Sequence, residues 1–197
     1  MATFSPNTLR ALLDSHGGVA YNDKYLVTLG PPAGFGLPGG GIMRRQLSFL
    51  CDTATLPTKS LATFEKTIYG PVKAMPYRMT FTEASMSFIM TDGMNEKKYF
   101  DAWQNKIVDQ KTGNIGYFND YVVDINIKKF PHAGDQSSSP TYEVILFDAW
   151  PSIVAEVQLS HSGGAEAMKL PVTFQFKKWE SKVAHTYEGG GSTGGIS

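Results

Sequence analysis

The chain has 197 residues, a length typical of one domain or at most two. Its 18 Lys and Arg residues balance 18 Asp and Glu residues, so the formal net charge is zero. A chain without excess positive charge is a poor candidate for wrapping nucleic acid or binding an acidic membrane. Charged residues make up only 18% of the chain, against about 25% in an ordinary soluble domain, which leaves uncharged surface that copies could bury against each other. The hydrophobic fraction of 42% is enough for a core and excludes a disordered chain.

Cys51 is the only cysteine, which excludes an intrachain disulfide and an all-cysteine metal site. We expect it to be a buried small hydrophobic residue. No run approaches the roughly 20 apolar residues that a membrane helix needs, and residues 1–14 lack the basic region and apolar stretch of a signal peptide. The sequence therefore predicts a protein made in a reducing cytoplasm, or part of a particle assembled there.

The first part of the chain predicts a short helix, a strand and a long loop. Ser5 and Pro6 suit the start of a helix that continues to about residue 14. Alternating side chains predict a strand over 25–29. The glycine- and proline-rich residues 30–41 predict a hairpin loop. This loop lacks the lysine and the Ser or Thr of a phosphate-binding loop, so we do not interpret it as a nucleotide site.

The next part predicts further strands and an arm. Alternation predicts strands over 45–51 and 86–90. The mixed β pattern of residues 59–82, with a Gly-Pro turn at its centre, predicts an extended hairpin that projects as an arm.

One amphipathic helix is predicted in the middle of the chain, over about 95–108. Asp92 or Asn95 suits its N-cap. Its apolar face is an aromatic stripe, which is typical of core packing rather than of a cofactor site; the stripe consists of Tyr99, Phe100, Trp103 and Ile107.

The last part returns to β structure. Period-2 alternation predicts a strand over 121–127 with one wet face, which carries Asp120, Asp124 and Asn126. A polar loop follows at residues 132–140. Pro151 is predicted to end the apolar run that begins at residue 142, and further strands are predicted over 153–159 and 170–176, the second ending near residue 180. Residues 188–197 have the composition of a flexible linker.

These elements predict a mainly β fold: a two-sheet sandwich or barrel with one packed α-helix, a long inter-strand arm and a short N-terminal helix. We divide the chain into an N-terminal extension (1–20), a β domain (21–182) and a flexible Gly-rich tail (183–197).

Residues suited to catalysis do not cluster in the sequence. The four histidines, at 16, 132, 161 and 185, fall in loops or tails without metal-ligand spacing. Asp120 and Asp124 could form an acid/base pair, but a solvated sheet face is the more ordinary interpretation. We therefore predict no enzyme, no cofactor and no metal site. Two function classes remain: a structural β-protein that assembles through sheet edges and arms, and a β-barrel that binds a small molecule or peptide.

Four motifs in order resemble those of the tail tube proteins of contractile-tailed bacteriophages of the T-even type. Residues 49–57 (FLCDTATLP) look like an apolar strand that ends in cysteine and is followed by an A-x-L-P step. Residues 100–104 (FDAWQ), 149–159 (AWPSIVAEVQL) and 172–180 (VTFQFKKWE) are similar to the family's helix, W-P strand and closing strand.

The resemblance implies hexameric rings that stack into a hollow tube inside a contractile sheath. It also implies a tape-measure protein in the lumen during assembly, a baseplate initiator and a tail terminator as partners, and double-stranded DNA as passing cargo rather than a ligand. Such a protein is part of the virion and is assembled in the host cytoplasm, without inserting into a membrane. The arm would contact the adjacent ring; the arm residues are Leu56, Pro57, Phe64, Ile68, Tyr69, Met75 and Tyr77.

Asp120, Asp124 and Asn126 are the candidate lumen face, because a channel for moving DNA should not attract phosphates. Two related functions stay open within the resemblance: the tube initiator at the baseplate, and the tube protein of a related contractile injection system.

Overall fold

The computed structural model describes residues 5–15, 18–32, 34, 40–67, 70–132, 139–159 and 167–182. These ranges contain four helices and nine strands. In chain order they are α1 (Pro6–Ser15), β1 (Tyr25–Leu29), α2 (Gly40–Leu50), β2 (Cys51–Ala54), β3 (Lys59–Lys66), β4 (Lys73–Phe81), β5 (Ala84–Ile89), α3 (Asn95–Ile107), α4 (Phe118–Tyr121), β6 (Val123–Lys129), β7 (Tyr142–Val154), β8 (Lys169–Gln175) and β9 (Lys178–Ser181).

Seven antiparallel strands make up the body, in the order β1-β6-β7-β8-β5-β2, with β9 also paired to β7. The 13-residue strand β7 belongs to both halves of this arrangement. Its first part pairs with β6 and β9, and its last part pairs with β8. The buried faces of both halves contribute to one hydrophobic cluster, so the body is a two-sheet sandwich. The predicted fold class is confirmed, including the arm, which is the separate β3–β4 hairpin.

β7 changes direction at a bulge near Asp148. This residue has a φ of 53°, in the left-handed region that Asp tolerates better than most side chains. The β6–β7 register shifts at the same level, opposite Asp124. The Asp148 backbone N–H donates to the Asp124 carboxylate at 3.3 Å, which satisfies a donor that the bulge removes from the ladder.

The two ends of the sheet, β1 and β2, lie close to each other. The Tyr25 hydroxyl donates to the Cys51 carbonyl at 2.9 Å and joins the first residues of the two strands. Helix α2 connects β1 to β2 and buries Met43 and Leu47 in the core. The body is therefore almost a closed barrel, with α2 beside the gap.

Helix α3 confirms the predicted aromatic stripe. Tyr99, Phe100 and Trp103 are fully buried, and the Phe100 ring lies 5.1 Å from that of Phe88, centroid to centroid. The Trp103 indole N–H donates to the Tyr121 carbonyl at 2.7 Å. The helix thus adds to the core a group of rings that stack or meet edge to face.

The predicted cap of α3 is wrong. The N-cap position is Met94, in a left-handed conformation with φ 49°, and its side chain does not cap the helix. The fully buried Glu96 reaches back instead, and its carboxylate accepts the Thr91 backbone N–H and hydroxyl at 3.0 Å each. A carboxylate in the first helical turn also interacts favourably with the helix dipole.

The predicted strand over 45–51 is also wrong. Residues up to Leu50 are helical, and β2 begins only at Cys51. Met43 and Leu47 are buried at a spacing of four, while Arg45 and Phe49 are exposed, which is a helical rather than an alternating pattern.

Two strand boundaries near the C-terminus differ from prediction. β7 continues through Pro151 to Val154, and residues 155–159 are outside any strand. Among the described strands, β6 pairs with β7 only as far as Ala149, so Pro151 lies where one side of β7 is an edge, a position that tolerates proline. The predicted closing strand is divided into β8 and β9, which pair with successive parts of β7.

Trp103 gives a direct test of the core. We expect Trp103→Ala to lower the free energy of unfolding by about 3–5 kcal/mol, because it removes a fully buried ring and an indole hydrogen bond. Urea unfolding of the dispersed subunit, followed by circular dichroism, measures the change. Phe49→Ala is the control: its ring is 66% exposed, and the expected change is within about 0.5 kcal/mol. Equal losses in the two variants would contradict this packing.

Candidate assembly surfaces

The β3–β4 arm is exposed along most of its length, although it carries many apolar side chains. Its strands pair only with each other, in register from Lys59 opposite Phe81 to Lys66 opposite Lys73. Tyr77 is 65% exposed and lies at a bulge, with its ring 6.1 Å from that of Phe64. Leu61 and Met79 are a cross-strand pair, and both are exposed. Residues on both faces of the hairpin therefore lack a covering layer in the single chain.

The base of the arm is attached to the body near β9. The Lys59 ammonium lies 5.9 Å from the centroid of the Trp179 ring, and the Phe81 and Phe176 rings are 6.1 Å apart. The Thr82 N–H donates to the Thr58 carbonyl at 3.3 Å and closes the base. These contacts fix the point from which the arm projects.

The predicted arm residues divide into three groups. Phe64, Met75 and Tyr77 lie on β3 and β4 as expected. Leu56 and Pro57 precede the arm; Leu56 is 54% exposed, whereas Pro57 is buried. Ile68 and Tyr69 lie outside the described residues.

The polar face of β6 includes two of the three candidate lumen residues. Asp124 is exposed and Asn126 half-buried, on the side of β6 opposite the buried Val123, Ile125 and Ile127. The prediction that Asp120 shares this strand face is wrong, because Asp120 belongs to the short helix α4 that precedes β6. Lys128 is the next residue of β6 on this face. Its ammonium lies 3.5 Å from the Glu143 carboxylate, which balances its charge.

The connection from α3 through α4, residues 108–121, exposes apolar side chains that the sequence analysis did not single out. We call it the platform. Tyr117 is 83% and Ile115 74% exposed, and Phe118 and Val108 are also exposed. In the sequence, two aromatic residues follow Gly116 directly, which is the one feature that could have drawn attention to this segment. No periodic pattern indicated that these side chains are exposed.

Backbone contacts hold the platform in place. Val108 and Ile115 form a β-bridge, and the Gly116 N–H donates to the Ile107 carbonyl at 2.9 Å. A Cβ at residue 116 would lie 2.6 Å from the Lys106 carbonyl oxygen, so only glycine permits this close approach. The Tyr121 ring is 5.5 Å from that of Phe118 and 6.4 Å from that of Trp150, which connects the platform to the body.

Groups suited to catalysis remain scattered in the structure. Within the described ranges, no group of three or more His, Cys, Asp or Glu side chains could hold a metal ion. His132 lies 3.2 Å from the Asp23 carboxylate at the surface; the other three histidines are outside the described residues. In the part of the chain that is described, no helix is both long and apolar enough to cross a membrane.

Cys51 is half-buried and unsuited to nucleophilic chemistry. Burial raises the pKa of its thiol to about 12, and the nearby Asp52 carboxylate acts in the same direction. Burial together with the charges of Cys51 and Asp52 also raises the pKa of the Tyr25 hydroxyl to about 12. Both groups remain protonated at neutral pH, so the Tyr25 hydroxyl can donate to the Cys51 carbonyl and join β1 to β2.

A family model for phage tail tube proteins matches residues 20–182, which include every strand of the body and the arm. The chain belongs to the phage tail tube protein family. The resemblance found in the four motifs is thereby confirmed, and the family is one of structural proteins. No curated protein sequence matches this tail tube protein.

Solved structures from contractile systems contain chains with a similar fold. A chain of the extracellular contractile injection system PVC, from its sheath-tube complex in the extended state, is similar with a TM-score of 0.58 and 12% identity, over 91% of this chain and 99% of that one. A chain of the anti-feeding prophage tube-terminating cap is similar with a TM-score of 0.58 and 15% identity, over 85% of this chain and 95% of that one. A chain of that prophage's baseplate has a TM-score of 0.56 and 9% identity, over 83% of this chain and 95% of that one. At these identities the likeness concerns the fold alone.

The raised pKa values of Cys51 and Tyr25 predict a loss of stability at alkaline pH. Above about pH 9 the unfolded chain loses these protons while the fold keeps them, so stability falls as pH rises towards 12. Between about pH 8.5 and 11, we expect the melting temperature of the double variant Cys51→Ala, Tyr25→Phe to fall less steeply than that of the unsubstituted protein. Scanning calorimetry of both proteins measures the two slopes, and parallel slopes would contradict the assignment.

Proposed function

We propose that this chain is the repeating subunit of the tail tube of a contractile-tailed phage of the T-even type. Six copies form a ring, rings stack into a hollow tube within the sheath, and double-stranded DNA passes through the lumen. The observation that carries the proposal is the match of the family model over 20–182, in a chain whose arm is exposed and apolar.

The exposed arm supports stacking. Contiguous exposed apolar surface on a soluble protein usually marks an interaction site. The arm exposes such side chains on a separate two-stranded hairpin that contacts the body at its base. Burial of this hairpin against another ring would remove the apolar surface from water, which favours the stacked state.

The sheet edges support ring formation. Among the described strands, β9 pairs only with β7, and the part of β7 beyond Ala149 pairs only with β8, so each has an outer edge. Open strand edges favour pairing with another chain, and a head-to-tail contact that repeats around a closed ring satisfies every copy equally.

The outer face of β6 is our proposed lumen surface, with Asp124 and Asn126 as its residues. The Lys128–Glu143 pair adds no net charge, so the face is not basic and would not retain a phosphate backbone. A helical reconstruction of the tail that turned this face towards the sheath would contradict the proposal.

A tube subunit in such a tail would contact several other proteins, which are the partners that we propose. They are the sheath protein around the tube, a tape-measure protein in the lumen during assembly, a baseplate initiator and a tail terminator. The titles of the similar structures name a sheath-tube complex, a tube-terminating cap and a baseplate in related systems. We place the chain in the virion, assembled in the bacterial host cytoplasm.

Three alternatives differ in assembly. A baseplate tube initiator and the tube protein of a related injection system would form similar rings. A small-ligand-binding barrel is a different class, for which a cleft of about 430 Å³ beside β1 and β2 offers a site, lined by Tyr25, Ala54, Leu56, Ile127 and Tyr142. Against this class, the centre of the body is filled by buried side chains such as Phe88, Trp103 and Phe174.

Negative-stain microscopy distinguishes these classes. Purified protein, alone and with particles that carry the baseplate, should give uniform hollow tubes or stacked rings with six subunits per ring. Single rings that never stack would favour an initiator. Protein that remains a monomer even with the nucleating particle would contradict the tube assignment.

The arm can be tested apart from folding. We expect Leu61→Ser with Tyr77→Ser to abolish tubes, because both side chains are exposed in the subunit and would lose their apolar contact in the stack. Subunit stability should change by no more than about 0.5 kcal/mol per site, since neither residue is buried. Sedimentation measures assembly and urea unfolding measures stability. Thr63→Ala with Thr80→Ala, also on the arm, is the control and should assemble normally. Tubes of normal length from the Ser variant would rule out the arm as a stacking element.

A further inference from the structure

We propose that the arm of one copy binds the platform of a copy in the adjacent ring. This inference rests on the proposed function, because it requires adjacent rings. It adds to that function the surface to which the arm binds. Three observations support it: the charge of the arm, the charge and shape of the platform, and the position of each within the subunit.

The arm is basic, although the chain as a whole is neutral. It contains four cations, Lys59, Lys66, Lys73 and Arg78, and one carboxylate, Glu65, for a net charge of +3. Lys66 and Lys73 are directly opposite each other at the far end of the hairpin, an arrangement of like charges that destabilises an isolated pair of strands. Among the described residues, neither of these lysines nor Arg78 has an ion-pair partner. Within the part of the chain that the structure describes, the end of the arm at Lys66 and Lys73 therefore has no ion-pair partner.

The platform has the opposite character. Asp109 and Asp120 outnumber Lys111, so residues 108–121 carry a net charge of −1. Within the described part of the chain, neither carboxylate is paired with a cation. The Asp109 carboxylate accepts the Lys111 N–H at 2.9 Å and the Thr112 hydroxyl at 3.0 Å, contacts that fix its position and keep it ionised.

Apolar surface accompanies the charges on both sides. The arm exposes Leu61, Phe64 and Tyr77, and the platform exposes Ile115, Tyr117 and Phe118. The platform is already fixed by its β-bridge and by Gly116, so little conformational freedom is lost when it is covered. Aromatic side chains surrounded by complementary charge are typical of the centre of a protein interface.

The two surfaces lie on different sides of β7. The arm begins beside β9, where Trp179 is opposite Leu146, whereas the platform leads into β6, which pairs with the other side of β7. A subunit thus presents the two surfaces separately, as a head-to-tail contact between copies requires. A basic arm could also bind nucleic acid, but its exposed apolar side chains favour a protein surface.

Cross-linking between differently labelled copies tests the contact. Tyr77→Cys and Tyr117→Cys chains are prepared separately in a Cys51→Ser background, mixed in equal amounts and assembled with the nucleating particle. A short bis-maleimide should then produce a covalent dimer that neither chain produces alone, and the dispersed mixture should produce none. Leu159→Cys replaces Tyr117→Cys in the matched control, because Leu159 is 79% exposed but lies outside the platform.

The outcomes separate this inference from the proposed function. Tubes that form without the mixed 77–117 product, or with an equal 77–159 product, would overturn the arm–platform contact and leave the tube intact. Protection of the Tyr77→Cys thiol by added DNA, without the mixed product, would assign the arm to nucleic acid instead. Failure of the unsubstituted protein to form tubes would refute the function itself.

Charge reversal provides a second measurement. Lys66→Glu with Lys73→Glu should abolish tubes, and adding Asp120→Lys should restore part of the yield, because the attraction is re-formed with the signs exchanged. Lys182→Glu, an exposed charge outside both surfaces, should leave the yield unchanged. Normal tubes from the Lys66→Glu, Lys73→Glu variant would overturn the proposal.

Discussion

The pairing of β7 with three other strands is the constraint on which the rest of the structure depends. Backbone donors and acceptors that are buried must find partners, and β7 provides them for β6, β8 and β9 along its 13 residues. One strand can serve both sheets only if it bends between them, and the bulge at Asp148 makes that bend. The Asp124 carboxylate compensates the N–H that the bulge displaces. β9, beside which the arm begins, pairs with the residues of β7 that lie just before this bulge.

The body and the proposed assembly surfaces depend on different physical interactions. The body is stabilised by a single apolar core, in which the rings of α3 pack against Phe88 and Phe174. The arm and the platform contribute little to that core; they expose aromatic residues on hydrogen-bonded backbone, together with charges that have no ion-pair partner among the described residues. Folding and assembly can therefore be altered separately, since substitutions at exposed positions leave the buried cluster intact.

The elements that bury one face against the core could be predicted from the sequence. The alternation of Val123, Ile125 and Ile127, and the stripe of α3, each identify a single buried face, so strand β6 and helix α3 were predicted correctly. Residues 45–51 have apolar side chains in both registers, and only contact with the core shows that Met43 and Leu47 form a helical face. Pro151 was expected to end a strand because the sequence does not show which side of β7 is an edge.

The site could be predicted only in part. The arm was identifiable because residues 59–82 have β pattern around a Gly-Pro turn. The placement of Asp120 was not, because the four-residue helix α4 is too short for a periodic signal and shifts the start of the strand by two residues. Ile115 and Tyr117 were missed because their exposure follows from the close backbone approach at Gly116, which depends on residues in the preceding helix.

The charge of the arm has a consequence for free subunits. Two hairpins that each carry +3 repel one another at the distances over which salt does not screen them, about 8 Å under physiological conditions. This repulsion opposes tip-to-tip contact between the apolar side chains of two free hairpins. The two lysines that weaken the isolated hairpin therefore also disfavour association between free hairpins. The exposed apolar side chains of the arm then stay accessible in the separate subunit.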